Sequence, residues 1–353
     1  MRPIDSILDT AIALNATDVH LQAGLPPVYR VQRGLVQKGR KVLSPRDVED
    51  LVTSLMTDHQ KRLFREKLDY DFSCSVPGRA RFRVNAFHQR DTVAAALRRI
   101  PFEIPTLESL GLGASVVELA RLKRGLVLVT GAAGHGKSTT LASLIDRING
   151  ERTLHIVTIE DPIEYLFRHR QSVVVQRELG TDVSSFAAGL RAALREDPDV
   201  VFVGEMRDFA TIEAALTAAE TGHLVFSTLH TKTPAQGIDR IVDVFPPHQQ
   251  QQVRVQLANV LHAIVTQQLL VRKDGDGLVV AVEQLNATPA ARNLIREGKT
   301  FQMQTLIQTG AAAGMSTMEQ SLKALHDRGL ISYEDAMDHA FDPRELARLM
   351  GRT

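Results

Sequence analysis

Cysteine is almost missing from these 353 residues: Cys74 stands alone. A single thiol excludes an intramolecular disulfide and any four-cysteine zinc site, and it fits a reducing compartment. Aromatic residues make up 5% of the chain, which leaves little for a base-stacking groove of the kind single-stranded nucleic acid needs. Charge of one sign is lacking as well. The 42 Lys and Arg almost cancel the 41 Asp and Glu, and a net charge of +1 gives no whole-molecule field that would gather nucleic acid or anionic lipid. No apolar run reaches the roughly 18–20 residues that span a bilayer. The opening "MRPIDSILDTAIALNATD" places Asp5 and Asp9 where a signal peptide needs an unbroken apolar core. It reads as an amphipathic helix with Ile4, Ile7, Leu8, Ile12 and Leu14 on one side. The expectation is a cytoplasmic chain of two domains, because one core rarely grows past about 250–300 residues.

Residues 1–100 mix short helices with alternating strands. "SPRDVEDLVTSLM" (44–56) has Ser44 as N-cap and Pro45 at the first helical position, where a missing N–H does no harm. "RFRVNAFHQ" (81–89) puts Phe82, Val84 and Ala86 on one face and Arg81, Arg83 and Asn85 on the other, a half-exposed antiparallel strand paired with "TVAAALRRI" (92–100). The prolines of "PFEIPTLESLG" break both periods, so 101–112 reads as a linker and 113–353 as the second domain. There the apolar runs "GLVLVT" (125–130), "LHIVTI" (154–159), "VVFV" (200–203) and "HLVFST" (223–228) alternate with helical stretches, as in a parallel sheet covered on both faces. From about residue 247, beginning "HQQQQVRVQLANVLHAIVTQQLL", the chain reads as mostly helical.

The strongest local signal is Gly131-x-x-x-x-Gly136-Lys137-Ser138, between a buried strand and a helix. Such a loop wraps phosphate oxygens with backbone N–H groups, and the helix N-terminus adds partial positive charge. Lys137 is the residue type that reaches the β- and γ-phosphates, and the Ser138 hydroxyl is a ligand for Mg²⁺. The implied ligands are ATP and Mg²⁺, with Gly134, His135 and Thr139 completing the loop. Two acidic clusters end strands of the same sheet, Glu160-Asp161 and Gly204-Glu205. Ligands of open parallel sheets bind beyond the carboxyl ends of the strands, so both clusters face the loop. Transfer of a phosphoryl group to water needs a group that orients the water. Glu205 takes that role directly or through Mg²⁺-bound water, and Glu160 is its partner or the alternative base. Asp161 doubles as a metal-site candidate and as a cap. His230, at the carboxyl end of its strand, is placed to sense the γ-phosphate; His223 begins the same strand.

Four boxes thus stand in order: "GAAGHGKST", "TIEDPIEYLF", "LREDPDVVFVGEMRD" and "TAAETGHLVFSTLHT". The series resembles the secretion-type hexameric ATPases. "ATDVHLQAGLPPVYRV", "GRARFRVNAF", "LRRIP", "TPAARNLIREGK" and "QMQTLIQTG" resemble the type IV pilus retraction (PilT) family within them. The resemblance implies an α/β chain: a PAS-like α+β domain over 1–100, then a RecA-like P-loop ATPase domain with a mostly helical C-terminal region. It further implies a homohexamer that hydrolyses ATP to retract pili in twitching motility, peripheral to the inner membrane and in contact with a platform protein there. Glu205 matches the family's hydrolytic glutamate, and Arg81, Arg83 and Arg98 match its candidate arginines acting on a neighbouring subunit's ATP. His135 replaces a serine of the family's loop, and "VYRVQRGLV" lacks its acidic hairpin turn. A pilus assembly or type II secretion ATPase, a nucleic-acid motor and a nucleotide-sensing scaffold remain as alternative readings.

Overall fold

A computed structural model describes residues 3–32, 34–76, 79–100, 103–275 and 277–351. The chain divides into two units. The first holds residues 1–103 with 164–166, and the second holds 104–163 and 167–353. Pro101 and Phe102, at the start of the expected linker, lie outside the described residues, and 103–112 runs as loop and turn.

The first unit is a six-stranded antiparallel sheet with helices, built from α1 (Asp5–Ala13), β1 (Asp18–Leu21), β2 (Val28–Val31), β3 (Gly34–Gln37), α2 (Pro45–Thr53), α3 (Asp58–Lys67), β4 (Asp69–Val76), β5 (Ala80–Gln89) and β6 (Thr92–Ile100). Its strand order is β3-β2-β1-β6-β5-β4. Alternation decides the faces. Phe82, Val84 and Ala86 of β5 are fully buried, and Ile4 just before α1, with Leu8 and Ala11 of α1, belongs to the same core. Ser44 caps α2 reciprocally with Asp47, which satisfies two helix-end donors at once. Arg33, between β2 and β3, lies outside the described residues.

In the second unit α4 (Ala114–Val117), β7 (Gly125–Thr130), α5 (Lys137–Glu151), β8 (His155–Glu160), β9 (Val173–Glu178), α6 (Phe186–Ala193), β10 (Val200–Val203), α7 (Phe209–Glu220), β11 (Leu224–Leu229), α8 (Pro234–Asp243), α9 (Pro247–Val260), β12 (Leu261–Val271) and β13 (Leu278–Asn286) form one sheet and its helices. Five helices follow: α10 (Pro289–Arg296), α11 (Met303–Thr309), α12 (Met318–Asp327), α13 (Tyr333–His339) and α14 (Pro343–Leu349). The sheet order is β13-β12-β7-β11-β10-β8-β9, parallel from β12 to β9. The continuous apolar runs have the physical cause expected of parallel strands. Leu126, Leu128, Val201 and Val203 enter one core with α6 to α9, while Val127, Val129, Val200 and Phe202 enter another with α5.

One expectation fails. "LHAIVTQQLL", read as a continuation of helix α9, is strand β12, which pairs with β7 on one side and β13 on the other. Leu261 and Ile264 enter one core and Ala263 and Val265 the other, so both faces are buried and the alternation that marks a strand is absent. The helical reading holds over α9 and again beyond residue 286. Among the described residues no helix is long and apolar enough to cross a membrane.

Candidate active site

The phosphate loop leaves the carboxyl end of β7 and enters α5. Gly131 has φ +140°, and a Cβ there would lie 2.5 Å from the Gln267 carbonyl oxygen, so no other residue fits. Gly134 and Gly136 also have positive φ, and Gly136 precedes the first turn of α5. Ser138 and Thr139 sit half-buried in that turn. Lys137 is 7% exposed, and its ammonium donates to the carbonyls of Gly131 and Ala132, each at 2.8 Å.

His135 does something the sequence did not announce. Its Nδ1 accepts the backbone N–H of Leu269 at 3.1 Å, and its carbonyl accepts Gln267 Nε2 at 2.6 Å. Strand β12 therefore braces the loop from behind. Burial, with Lys137 and His339 nearby, holds the His135 ring below the usual histidine pKa, which keeps Nδ1 an acceptor.

The carboxylates are set by backbone contacts between neighbouring strands. Gly204 N–H donates to Ile159 O at 2.8 Å, and Thr228 Oγ1 donates to Gly204 O at 2.6 Å. A Cβ on Gly204 would stand 3.3 Å from Ile159 O and 3.4 Å from Glu160 Cα, which is why glycine precedes the acid. Glu205 then pairs with Arg207 Nε at 2.8 Å and meets His230 Nε2 at 3.5 Å. His230 Nδ1 in turn lies 3.5 Å from Lys137 Nζ. An ammonium only donates, so Nδ1 accepts and the proton sits on Nε2, facing Glu205. Burial, then Lys137 and Arg207, depress the His230 pKa against the opposing pull of Glu205, so the ring is neutral at pH 7. Lys137, His230 and Glu205 thus form one chain across the ends of β7, β11 and β10.

Glu160 is 6% exposed. Its carboxylate accepts Thr158 Oγ1 at 2.7 Å and Gln176 Nε2 at 3.1 Å. Asp161 follows, exposed, before Pro162. His223 lies at the amino end of β11 with Nδ1 at 3.0 Å from Ala218 O, away from the phosphate loop. Asp208, beside Arg207, is the N-cap of α7 and accepts from Thr211 N and Oγ1.

Arg81, Arg83 and Arg98 belong to the first unit and share one face of β5 and β6, where Arg83 is directly opposite Arg98. Each has a partner in that unit: Ser73 and Ser75 for Arg81, Asp71 at 3.8 Å for Arg83, and Asp18 at 2.9 Å for Arg98. Arg207, which the sequence reads with Asp208 as an interface or sensor pair, is an ion-pair partner of Glu205. One functional feature escaped the sequence reading altogether. The brace from Gln267 and Leu269 left no local signal, since it joins positions over 130 residues apart.

The arrangement can hold polyphosphate in a glycine cradle beside an oriented carboxylate. Comparison with known proteins points the same way. A model of the Type II/IV secretion system protein family matches residues 1–330. The type IV pilus retraction ATPase PilT of Pseudomonas aeruginosa is 48% identical over 97% of this chain and 99% of its own. A twitching motility protein of Neisseria gonorrhoeae is 49% identical over 91% of this chain and 86% of its own. Among solved structures, the pilus retraction motor PilT with bound ADP superposes with a TM-score of 0.90 at 52% identity, covering 97% of this chain and 98% of that one. By this coverage the chain belongs to the Type II/IV secretion system protein family, within its PilT-type group.

Proposed function

We propose that this chain is a motor that hydrolyses ATP to ADP and phosphate and drives retraction of type IV pili. One observation carries the hydrolytic part: the chain Lys137–His230–Glu205 beside the glycine cradle. Backbone amides of 131–138 hold the phosphates, and Lys137 turns its ammonium from the loop carbonyls to the terminal phosphates. Glu205 orients the attacking water, with Arg207 pinning one of its oxygens. His230, neutral and bonded on both sides, links the state of Lys137 to that of Glu205. Glu160, held by Thr158 and Gln176, supports the site from the next strand and is the alternative base.

Hard oxygen donors suit Mg²⁺, and the Ser138 hydroxyl with Glu205 or Asp161, directly or through water, would hold it. When bound, the ion offsets negative charge on the phosphates. Arg81, Arg83 and Arg98 are assigned to the ATP of a neighbouring subunit in a homohexameric ring, where a planar guanidinium meets phosphate bidentately. The retraction role is carried by likeness to PilT along nearly the whole of both chains. We assign the protein to the cytoplasm, peripheral to the inner membrane and against the pilus platform protein, with no direct nucleic-acid partner, a reading that the same likeness supports. A deletion strain tests the direction of force. Abundant surface pili without twitching support retraction, whereas bald cells mean that the chain assembles pili instead.

A further inference from the structure

The first unit holds a cavity of about 560 Å³, lined only by its own residues and far along the chain from the phosphate loop. A strap of six residues borders it. After β3 the chain runs from Lys38 to Leu43 without regular structure before α2 begins. Both ends of the strap are pinned: Lys38 N–H donates to Pro27 O at 3.2 Å, and Leu43 N–H to Leu25 O at 3.1 Å. Between them Gly39 has φ +103° with open space around it, so the middle stands off the sheet. We propose that this cavity binds a small amphipathic anion, a fatty-acid-like chain ending in a carboxylate, with the chain inside and the head group at the strap.

The interior decides the body of the ligand. Ile7 of α1, Leu43 of the strap, Leu51 of α2 and Tyr29 of β2 present apolar walls. The Tyr29 hydroxyl donates to Ile7 O at 3.4 Å, and burial holds its pKa above the usual tyrosine value, so it stays a donor committed to that carbonyl. No lining residue has a buried side-chain polar atom left without a partner among the described residues. The interior therefore asks for no polar group, and with no Asn or Gln in its walls it has no amide to read a base or a sugar. The volume is that of a small-molecule site.

The strap decides the head. Lys41 pairs with Asp47 at 2.6 Å, and Asp50 stands 3.9 Å from Arg46, so the two acids of the lining are matched. Lys38 and Arg40, on either side of Gly39, have no ion pair among the described residues. Two unmatched cations at the rim of an apolar hollow favour a negative group there, and a guanidinium takes a carboxylate bidentately.

The test is calorimetric titration of the full-length protein with decanoate and with its uncharged counterpart decanol. Wild type is compared with the double variant Lys38→Ala/Arg40→Ala and with Ser6→Trp, whose indole would fill the hollow from an exposed position on α1. Wild type should bind decanoate at one site per chain and more tightly than decanol. The double variant should lower decanoate affinity about tenfold and leave that for decanol unchanged. Ser6→Trp should lower both, and neither variant should move ADP affinity or the thermal midpoint. Absence of decanoate binding at millimolar concentration, or a decanoate affinity that ignores both variants, overturns the assignment. Protein that ignores decanoate yet sediments with phosphatidylglycerol vesicles, and loses that in the double variant, also overturns it and makes the strap a lipid-surface contact. Each of these failures leaves the ATP reading of the second unit untouched.

Discussion

The two units differ in where they keep charge. Every buried polar or charged residue among those described lies in the second unit, from Thr130 to Glu319. In the first unit the core is apolar, and Arg81, Arg83 and Arg98 sit on a face outside it, each beside a hydroxyl or acid of the same unit. Burying an ion is unfavourable unless partners compensate, so folding alone gives no reason to collect Lys137, Glu160, Glu178, Glu283 and Glu319 in one sheet and its helices. The contrast teaches that the second unit gives up stability where chemistry or a ligand restores it, and that the first is built mainly for packing.

The largest effect expected from breaking this contrast is in the apolar core. Phe82→Ala should destabilise the first unit by about 3–5 kcal/mol, because its fully buried ring leaves a cavity. Denaturant unfolding measures it, and a loss under about 1 kcal/mol would contradict the packing role. Next comes Lys137→Ala, expected to cut turnover by about 100-fold or more and to weaken nucleotide binding, with little loss of thermal stability. Phosphate release, nucleotide titration and thermal unfolding on one preparation separate these outcomes.

Glu283 sharpens the comparison further. It is fully buried, both its oxygens lack a hydrogen-bond partner among the described residues, and Glu319 stands near with Oε2 equally without one among them. Burial first, then the Glu319 charge, push its pKa up to about 8 from an ordinary carboxylate value. The folded state therefore keeps a proton that the unfolded state has released, and stability falls as pH rises from about 4.5 toward 8. Glu283→Gln should flatten that slope and raise stability at pH 9 by on the order of a few kcal/mol. An unchanged slope would mean that Glu283 is already charged. Smallest is Arg98→Ala, whose ion pair with Asp18 is exposed on the arginine side. It should change stability by less than about 1 kcal/mol. A marked fall in turnover of the assembled protein would then assign Arg98 to a neighbour's ATP, and unchanged turnover would remove it from that role.

Much of the site was legible because its signals are local. The strand-loop-helix around Gly131 to Ser138 is written in consecutive residues, and the acid of Gly204-Glu205 directly follows its apolar strand. The histidines could be sorted by strand polarity, which put His230 rather than His223 at the carboxyl end. What escaped was non-local. β12 has both faces buried and follows α9 without a break, so its apolar run looked like more helix. With it went the brace on His135, which Gln267 and Leu269 of that strand supply. The Glu283–Glu319 pair was invisible for the same reason, joining a strand to a helix 36 residues on.

The account stands on Glu205 as the residue that orients water without holding the nucleotide. Its most direct test is a paired measurement on purified Glu205→Ala: ATP affinity by titration and phosphate release at saturating ATP and Mg²⁺. The expected result is affinity within about threefold of wild type and turnover lower by about 100-fold or more. Turnover close to that of wild type would contradict it.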